Sequence, residues 1–340
     1  MTALQETVTE APAVSVPSKK SMTVSLGASL IMLVLMLLIP LFVKNFVIFQ
    51  LTMLLVYAIA IIALNLLTGG SGQFSLGQSA FYALGAYTSA ILMEHAGINY
   101  VLTLPVSGLV CFIFGFLFGL PALRLSGVYL ALATFALATA MPQMLKLGVF
   151  EHWTGGVQGL VITKPDAPFG LPMSQDMWLY YFTLAVGLLI YIASVNLLNS
   201  RSGRAMMAIR DNQIAASALG VNLSLYKTLA FGISAAFTGI AGALGAIVVQ
   251  FVAPDGYTIT LAIAIFLGMV VGGVGWLPGS LAGAAFIVFV PNIAESISKG
   301  LSGAVFGVLL IIIIFVVPHG ARQVAYTAEA LFKKLVGSKS

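Results

Sequence analysis

The sequence predicts an all-α polytopic membrane protein, with about ten transmembrane or half-membrane helices and an internal repeat. Three observations lead there. Hydrophobic residues make up 60% of the 340 residues and charged residues 7%, whereas roughly a quarter of an ordinary globular chain is charged. Apolar runs of the ~20 residues needed to cross a bilayer recur along the chain, and the mean hydropathy is +1.07. The basic residues gather in a few loops instead of spreading over a surface.

Residues 1–22 form a polar tail with Pro12 and Pro17, expected to be disordered and cytoplasmic. Lys19 and Lys20 then precede an apolar run long enough to cross, which reads as a retained first span and not a cleaved signal peptide. The transmembrane domain, 23–320, holds ten candidate spans: Ser25–Val43, Phe46–Leu67, Phe74–Met93, Tyr100–Leu120, Gly127–Leu145, Met177–Leu197, Leu229–Phe251, Tyr257–Gly273, Leu277–Ala294 and Gly303–Val317. Phe74–Met93 is the least apolar. It carries Ser75, Gln78 and Ser79 among small residues and fits a half-buried or re-entrant helix as well as a span.

Charge assigns the sides. The loop 199–227 carries Arg201, Arg204, Arg210 and Lys227 against Asp211, and the tail 321–340 carries Arg322, Lys333, Lys334 and Lys339 against Glu329. The loop 146–176 holds Glu151, Asp166 and Asp176. Because basic loops stay in the cytoplasm, an even number of spans puts both termini and 199–227 inside and 146–176 outside. The net charge of +5 is therefore a topology signal and no sign of nucleic-acid binding. Cys111, the single cysteine, sits in an apolar run, so the chain has no internal disulfide.

Two stretches echo each other. Ser75-Leu76-Gly77-Gln78-Ser79-Ala80-Phe81 is similar to Ser280-Leu281-Ala282-Gly283-Ala284-Ala285-Phe286, and each follows a glycine cluster, Gly69-Gly70-Ser71-Gly72 or Gly272-Gly273-Val274-Gly275. Paired glycine interruptions in the two halves of a transporter point to its central site. The assigned topology gives both stretches the same orientation.

Enzymatic chemistry finds no support. The chain has no Gly-x-x-x-x-Gly-Lys-Ser/Thr loop to cradle nucleotide phosphates and no His-Glu-x-x-His. His95, His152 and His319 are scattered, without metal-ligand spacing, and no Gly-x-Ser-x-Gly elbow occurs. Neither cofactor nor metal is expected. Glu94, Arg124, Lys146, Asp255 and Glu295 all fall near span ends, so the spans lack the ionisable groups with which ion-coupled transporters work. Energy would have to enter from another subunit, or the protein would be a self-contained channel or facilitator.

The loop 199–227 separates those two readings. Arg201 to Gly220 reads as one or two short alanine-rich helices ended by a glycine suited to a left-handed C-cap. Met206, Ile209, Ile214, Ala218 and Leu219 are too few apolar positions for a span. Such a helix either lies on the membrane surface or plugs a groove in a soluble partner, with Arg204 and Arg210 at its approach. A channel has no use for the second.

The run contains Gly203-Arg204-Ala205, Ala208-Ile209-Arg210-Asp211-Asn212, Ala215-Ala216, Leu219-Gly220-Val221-Asn222 and Tyr226-Lys227. It resembles the cytoplasmic coupling segment of branched-chain amino acid ABC importer permeases of the LivM type. Gly72-Gln73-Phe74-Ser75-Leu76-Gly77, Leu123-Arg124-Leu125, Thr154-Gly155-Gly156 with Gly159-Leu160, and Gly272-Gly273-Val274-Gly275 are similar too, in the family's order. Members often carry histidine where Gln78 stands and glutamate where Ser217 stands.

The resemblance implies a permease of the bacterial inner membrane that works with a second, LivH-type permease, two cytoplasmic ATP-binding subunits and an extracytoplasmic solute-binding protein. Coupling to the ATPase would fall to Arg204, Arg210, Asp211, Asn212, Ala215, Ala216, Leu219 and Gly220. Candidates for lining the translocation pathway are Gln73, Ser75, Gln78 and Ser79, with Gly272, Gly273 and Ser280 opposite; the alternative is that these groups satisfy one another between helices. Trp153, Thr154 and Gly155 either meet the binding protein or belong to an ordinary structured loop. Related permeases serve urea, short amides, other amino acids and aromatic acids, so the solute stays open. Gly115-x-x-x-Gly119, Gly268-x-x-x-Gly272 and Gly303-x-x-x-Gly307 are expected to bring helices into close contact.

Overall fold

The computed structural model describes residues 34–123, 125, 127–168, 173–297, 307–308, 320–321 and 323. Residues 1–44 form a unit of their own, in which 34–38 are helical and Ile39–Leu41 is a 3-10 turn. The rest of the first expected span, the polar tail, most of 303–317 and most of 321–340 lie outside the described residues.

The second unit, 45–340, is a helical bundle. Its elements are α1 (Asn45–Asn65), continued by a π turn Leu66–Gly70, then α2 (Gln78–Glu94), α3 (Tyr100–Ala122) and α4 (Val128–Leu145). After the one-turn α5 (Glu151–Thr154) and β1 (Leu160–Val161) come α6 (Gln175–Asn199), α7 (Arg201–Asp211), α8 (Gln213–Ala218) and α9 (Leu223–Val249). The chain continues through β2 (Phe251–Val252), α10 (Ile259–Gly272) and α11 (Ser280–Ile297), with 3-10 turns at Pro254–Tyr257 and Leu277–Gly279.

Six of these helices are long and apolar enough to cross a membrane, among the described residues. They overlap the spans expected from Phe46, Tyr100, Gly127, Met177, Leu229 and Tyr257 onward, the last of them counting the 3-10 turn Pro254–Tyr257 together with α10. The expected span from Phe74 differs. Phe74 to Gly77 is not helical, and α2 starts at Gln78; its 17 residues reach only ~26 Å at 1.5 Å each. The span expected from Leu229 begins six residues earlier, because the Asn222 side chain accepts a hydrogen bond from the Leu225 N–H (3.1 Å) and caps the helix ahead of its apolar run.

Packing centres on α9, which is flanked by α1, α2 and α3 and buried over most of its length. Lipid offers no hydrophobic drive to press helices together, so close approach depends on small side chains. A Cβ on Gly85 of α2 would strike the backbone of Gly239, one on Gly242 the backbone of Tyr82, and one on Gly115 of α3 the Ala235 side chain. Gly119 lies against Thr228 in the same crossing. On α10, Gly268 and Gly272 meet Gly283 and Gly279 across the hairpin to α11. Two of the three expected glycine pairs thus form helix contacts, and Gly303 lies outside the described residues. The outward faces are apolar: Leu102, Leu109, Ile113 and Leu117 along α3, and Leu188, Leu189 and Ile192 on α6, are exposed as a lipid-facing surface requires.

The connections segregate by end. One end gathers the first glycine break, the loop 199–227 and the second glycine break. The other gathers α5, the α2–α3 turn and the segment after α9. There β1 pairs antiparallel with β2, Lys146 ion-pairs with Asp255 (2.5 Å), and Lys164 ion-pairs with Asp176.

The packing predicts that Gly239→Val drives a side chain into Cys111 and the Ser107 carbonyl, with a loss of at least ~1–3 kcal/mol, the usual cost of overpacking. Its thermal midpoint in detergent should fall. Gly148→Ala, which meets nothing within 4 Å, should leave the midpoint where it was.

Candidate functional site

The site lies where the two glycine breaks meet the basic loop. A transmembrane helix that stops inside lipid leaves carbonyls and N–H groups without intrahelical partners, and these must be satisfied within the protein. The first break largely satisfies itself. The Ser71 hydroxyl donates to the Leu67 carbonyl (2.7 Å), the Thr68 hydroxyl to the Gln73 carbonyl (3.1 Å), and the Gln73 amide to Ser71 Oγ (2.9 Å). Gln73 also donates to the Lys227 carbonyl (3.2 Å), which ties the break to the start of α9.

The second break is satisfied from outside, by Asn65. Its Nδ2 donates to the carbonyls of Gly273 and Trp276, both at 3.2 Å, and its Oδ1 accepts from the Gly275 N–H at 2.6 Å. A backbone N–H can only donate, so this last bond fixes which end of the amide is oxygen. Gly275 adopts φ of 79°, a conformation that side chains disfavour. Gly69, one turn beyond Asn65, touches Gly275 directly: a Cβ there would stand 2.6 Å from the Gly275 N and Cα.

The loop 199–227 packs against this junction. α7 is amphipathic, with Gly203, Met206 and Ile209 buried, and Met206 joins Leu67, Phe81, Leu130 and Phe231 in an apolar cluster. Ser200 caps its start by accepting from the Gly203 N–H (3.2 Å). Arg204 Nη1 donates to the Asn199 carbonyl (2.8 Å), at the end of α6. Arg210 turns inward: its Nη1 donates to the Gly69 carbonyl (2.7 Å), while Nε and Nη2 hold Asp211, each at 2.9 Å. Asn65, Gly69, Gly70, Leu198, Met207, Arg210, Gly275 and Leu277 enclose a cavity of about 50 Å³.

α8 is exposed over most of its length. Asn212 closes α7 and caps α8, its Oδ1 accepting from the N–H groups of Ile214 and Ala215, both at 3.0 Å. Ala216 is buried, whereas Ala215 is exposed and Ile214 and Leu219 stand 84% and 83% exposed. Gly220 ends the helix at φ of 82°. The Val221 N–H reaches the Ala216 carbonyl (3.0 Å) and the Gly220 N–H the Ser217 carbonyl (2.9 Å), the pairing of a glycine C-cap.

The remaining expected residues lie inside the bundle. Gln78 donates to Ser234 Oγ (3.3 Å) and accepts from the Thr238 hydroxyl (2.6 Å), and Ser234 donates to the Ala63 carbonyl (2.7 Å); α2, α9 and α1 are thereby joined. Ser75 Oγ accepts from the Gly77 N–H (3.2 Å). Ser79 and Ser280 are buried at the starts of α2 and α11, and Gly272 and Gly273 form the second break itself. In the other end's loop, Thr154 is buried, Gly155 is left-handed against Gly159, and Trp153 is half exposed beside His95 and His152.

Sequence reasoning missed Asn65, Ser234 and Thr238. The signal for Asn65 was present: an amide four residues before a glycine cluster, after twelve residues without another polar amide or hydroxyl except Tyr57.

A multi-pass helical bundle with two glycine breaks packed against a basic loop is the architecture of a membrane permease. Over residues 46–314 the chain matches the family described as branched-chain amino acid transport system, permease component, and it belongs to that family. It is 35% identical over 247 residues to the high-affinity branched-chain amino acid transport system permease protein LivM of Salmonella typhimurium, covering 66% of this chain and 58% of that protein. It is 25% identical to a probable branched-chain amino acid transport permease protein LivM of Methanocaldococcus jannaschii, covering 76% and 78%. To the high-affinity permease protein LivH of Escherichia coli it is 30% identical, covering 44% and 46%. No solved structure matches the chain.

The Gln78 network predicts that Gln78→Leu strands the Thr238 hydroxyl and lowers stability by ~1–3 kcal/mol, the cost of an unmet buried polar group. Gln78→His, which keeps a donor and an acceptor, should lose less. Thermal midpoints of the purified variants check the order.

Proposed function

We propose that this chain is the transmembrane permease subunit of an ABC importer of the bacterial inner membrane, moving branched-chain amino acids or a related small polar solute. ATP hydrolysis takes place in two separate cytoplasmic subunits, and the chain carries no ATPase site of its own. A second, LivH-type permease completes the membrane unit, and an extracytoplasmic binding protein delivers the solute to the end that holds α5 and the β1–β2 ladder. Both termini and the loop 199–227 are cytoplasmic.

The observation that carries this reading is the exposure of Ile214 and Leu219 on α8, which is rigidly capped at both ends. Two large apolar side chains raised off a folded bundle, on a helix whose direction is fixed by Asn212, form a plug for an apolar groove. The same α7–α8 unit reaches the glycine breaks through Arg210. The printed names of the LivM and LivH relatives support branched-chain amino acids as the solute.

The route for solute borders the two breaks, along Gln73, Ser75, Gln78, Ser79, Gly272, Gly273 and Ser280, and is closed in this arrangement of the chain. Gln73, Ser75, Gln78, Ser79 and Ser280 are each no more than 8% exposed. Opening it requires α2 and α9 to part at the Gln78 bonds. Rigid rocking of helix groups about such breaks is the general means of alternating access.

In membranes holding the complete transporter, Ile214→Asp combined with Leu219→Asp should cut leucine uptake at least about tenfold, equivalent to ~1.4 kcal/mol of lost docking, at unchanged permease abundance. Gly220→Val meets nothing within 4 Å and costs ~1–2 kcal/mol for its left-handed backbone. It should insert normally and also lose uptake. Leucine flux through the purified permease alone would overturn the importer reading in favour of a facilitator.

A further inference from the structure

Three stretches of backbone pack closely where the two breaks meet α7. A Cβ on Gly72 would stand 2.9 Å from Arg210 Cγ and 3.3 Å from Arg210 Cα, so the first break lies directly on the last turn of α7. A Cβ on Gly69 would collide with the backbone of Gly275, so the same break lies directly on the second. Hydrogen bonds fasten both contacts. The Arg210 guanidinium holds the Gly69 carbonyl at 2.7 Å, and Asn65 holds Gly273, Gly275 and Trp276 at 3.2, 2.6 and 3.2 Å.

The first bond joins a cation to the carbonyl end of a helix, where the helix dipole is negative, and it is charge-assisted. The second set makes three of the four hydrogen bonds an amide can form, in a residue 2% exposed. Asp211 holds the guanidinium from the solvent side. Asn212, immediately after, sets the direction of α8. A displacement of α8 therefore has a continuous stiff route to both breaks.

We propose that Arg210 and Asn65 form a tie that makes the coupling helices and the two glycine breaks move as one body. Arg210 is then a positioning residue acting through Gly69, and Asn65 one acting through Gly275. The inference rests on the reading of α7 and α8 as the segment gripped by the ATP-hydrolysing subunits. It explains why a loop otherwise shaped for a soluble partner turns the arginine at the end of α7 onto a carbonyl of the bundle. It also assigns the second break, which makes no direct bond to Arg210, to the same moving unit.

The test uses the complete transporter in nanodiscs with two cysteine reporters in separate preparations: Val274→Cys in the second break and Leu219→Cys on α8. Val274 is 44% and Leu219 83% exposed, whereas the native Cys111 is buried. Labelling by a water-soluble maleimide is compared without nucleotide and with ATP and vanadate trapped. Protection of Leu219→Cys by the ATP-hydrolysing subunits is expected. The labelling rate of Val274→Cys should change on trapping by at least about fivefold, the lower end of ordinary coupling. In Arg210→Ala, and separately in Asn65→Ala, that change should vanish while Leu219→Cys stays protected. Arg210→Lys, which keeps a donor for Gly69, should restore part of it.

A Val274→Cys response that survives both substitutions, or that is absent from the unsubstituted transporter while Leu219→Cys is protected, overturns the tie. Leu219→Cys left unprotected overturns the coupling reading, and the tie with it. Because Arg210 is partly exposed, its alanine variant keeps the test open should Asn65→Ala fail to insert.

Discussion

A peptide group left unpaired in lipid has no water to turn to, and the end of this bundle that holds the two glycine breaks is arranged around that constraint. Two chains of apolar helix are interrupted by glycines at the same end, and the polar groups freed by the second interruption are taken up by one amide, Asn65. Removing it would leave the Gly273 carbonyl buried without this partner, at ~1–3 kcal/mol, and the Trp276 carbonyl and Gly275 N–H partly buried without theirs, at less. The site is therefore a structural necessity before it is a functional one. Its place beneath Arg210 is what makes it a candidate for both.

The same economy of size runs through α9. It carries Gly232, Gly239, Gly242 and Gly245 where α2 and α3 cross it, and its polar groups Ser234 and Thr238 are spent on Gln78 and a carbonyl of α1. The central helix is the one with the smallest side chains. In a medium where apolar surface gains nothing from burial against apolar surface, contact distance and hydrogen bonds decide which helix sits in the middle.

Much of this was legible in the sequence, for reasons of local chemistry. Apolar length placed six spans within a few residues, and Gly220 ended α8 as a left-handed cap because the conformation is a property of the residue itself. The expected spans erred where a polar side chain overrode hydropathy: Asn222 started α9 inside the basic loop, and the residues from Gly72 to Gly77 stayed non-helical before α2. What the sequence hid was pairing. Asn65 and Gly275 are 210 residues apart, Gln78 and Thr238 160, and no spacing rule connects positions that far along a chain. The short helices of the basic loop were expected from the sequence, yet the loop's reach into the bundle through Arg210 depends on a contact with Gly69, 141 residues away.

The small ladder between β1 and β2 has a mechanical meaning of its own. It clips the segment after α5 to the segment after α9, and the Lys146–Asp255 pair clips the end of α4 to the same place. Sliding of these helices past one another at that end would break several bonds at once. The ladder and the ion pair therefore hold three connections in one place, at the end of the bundle opposite α8.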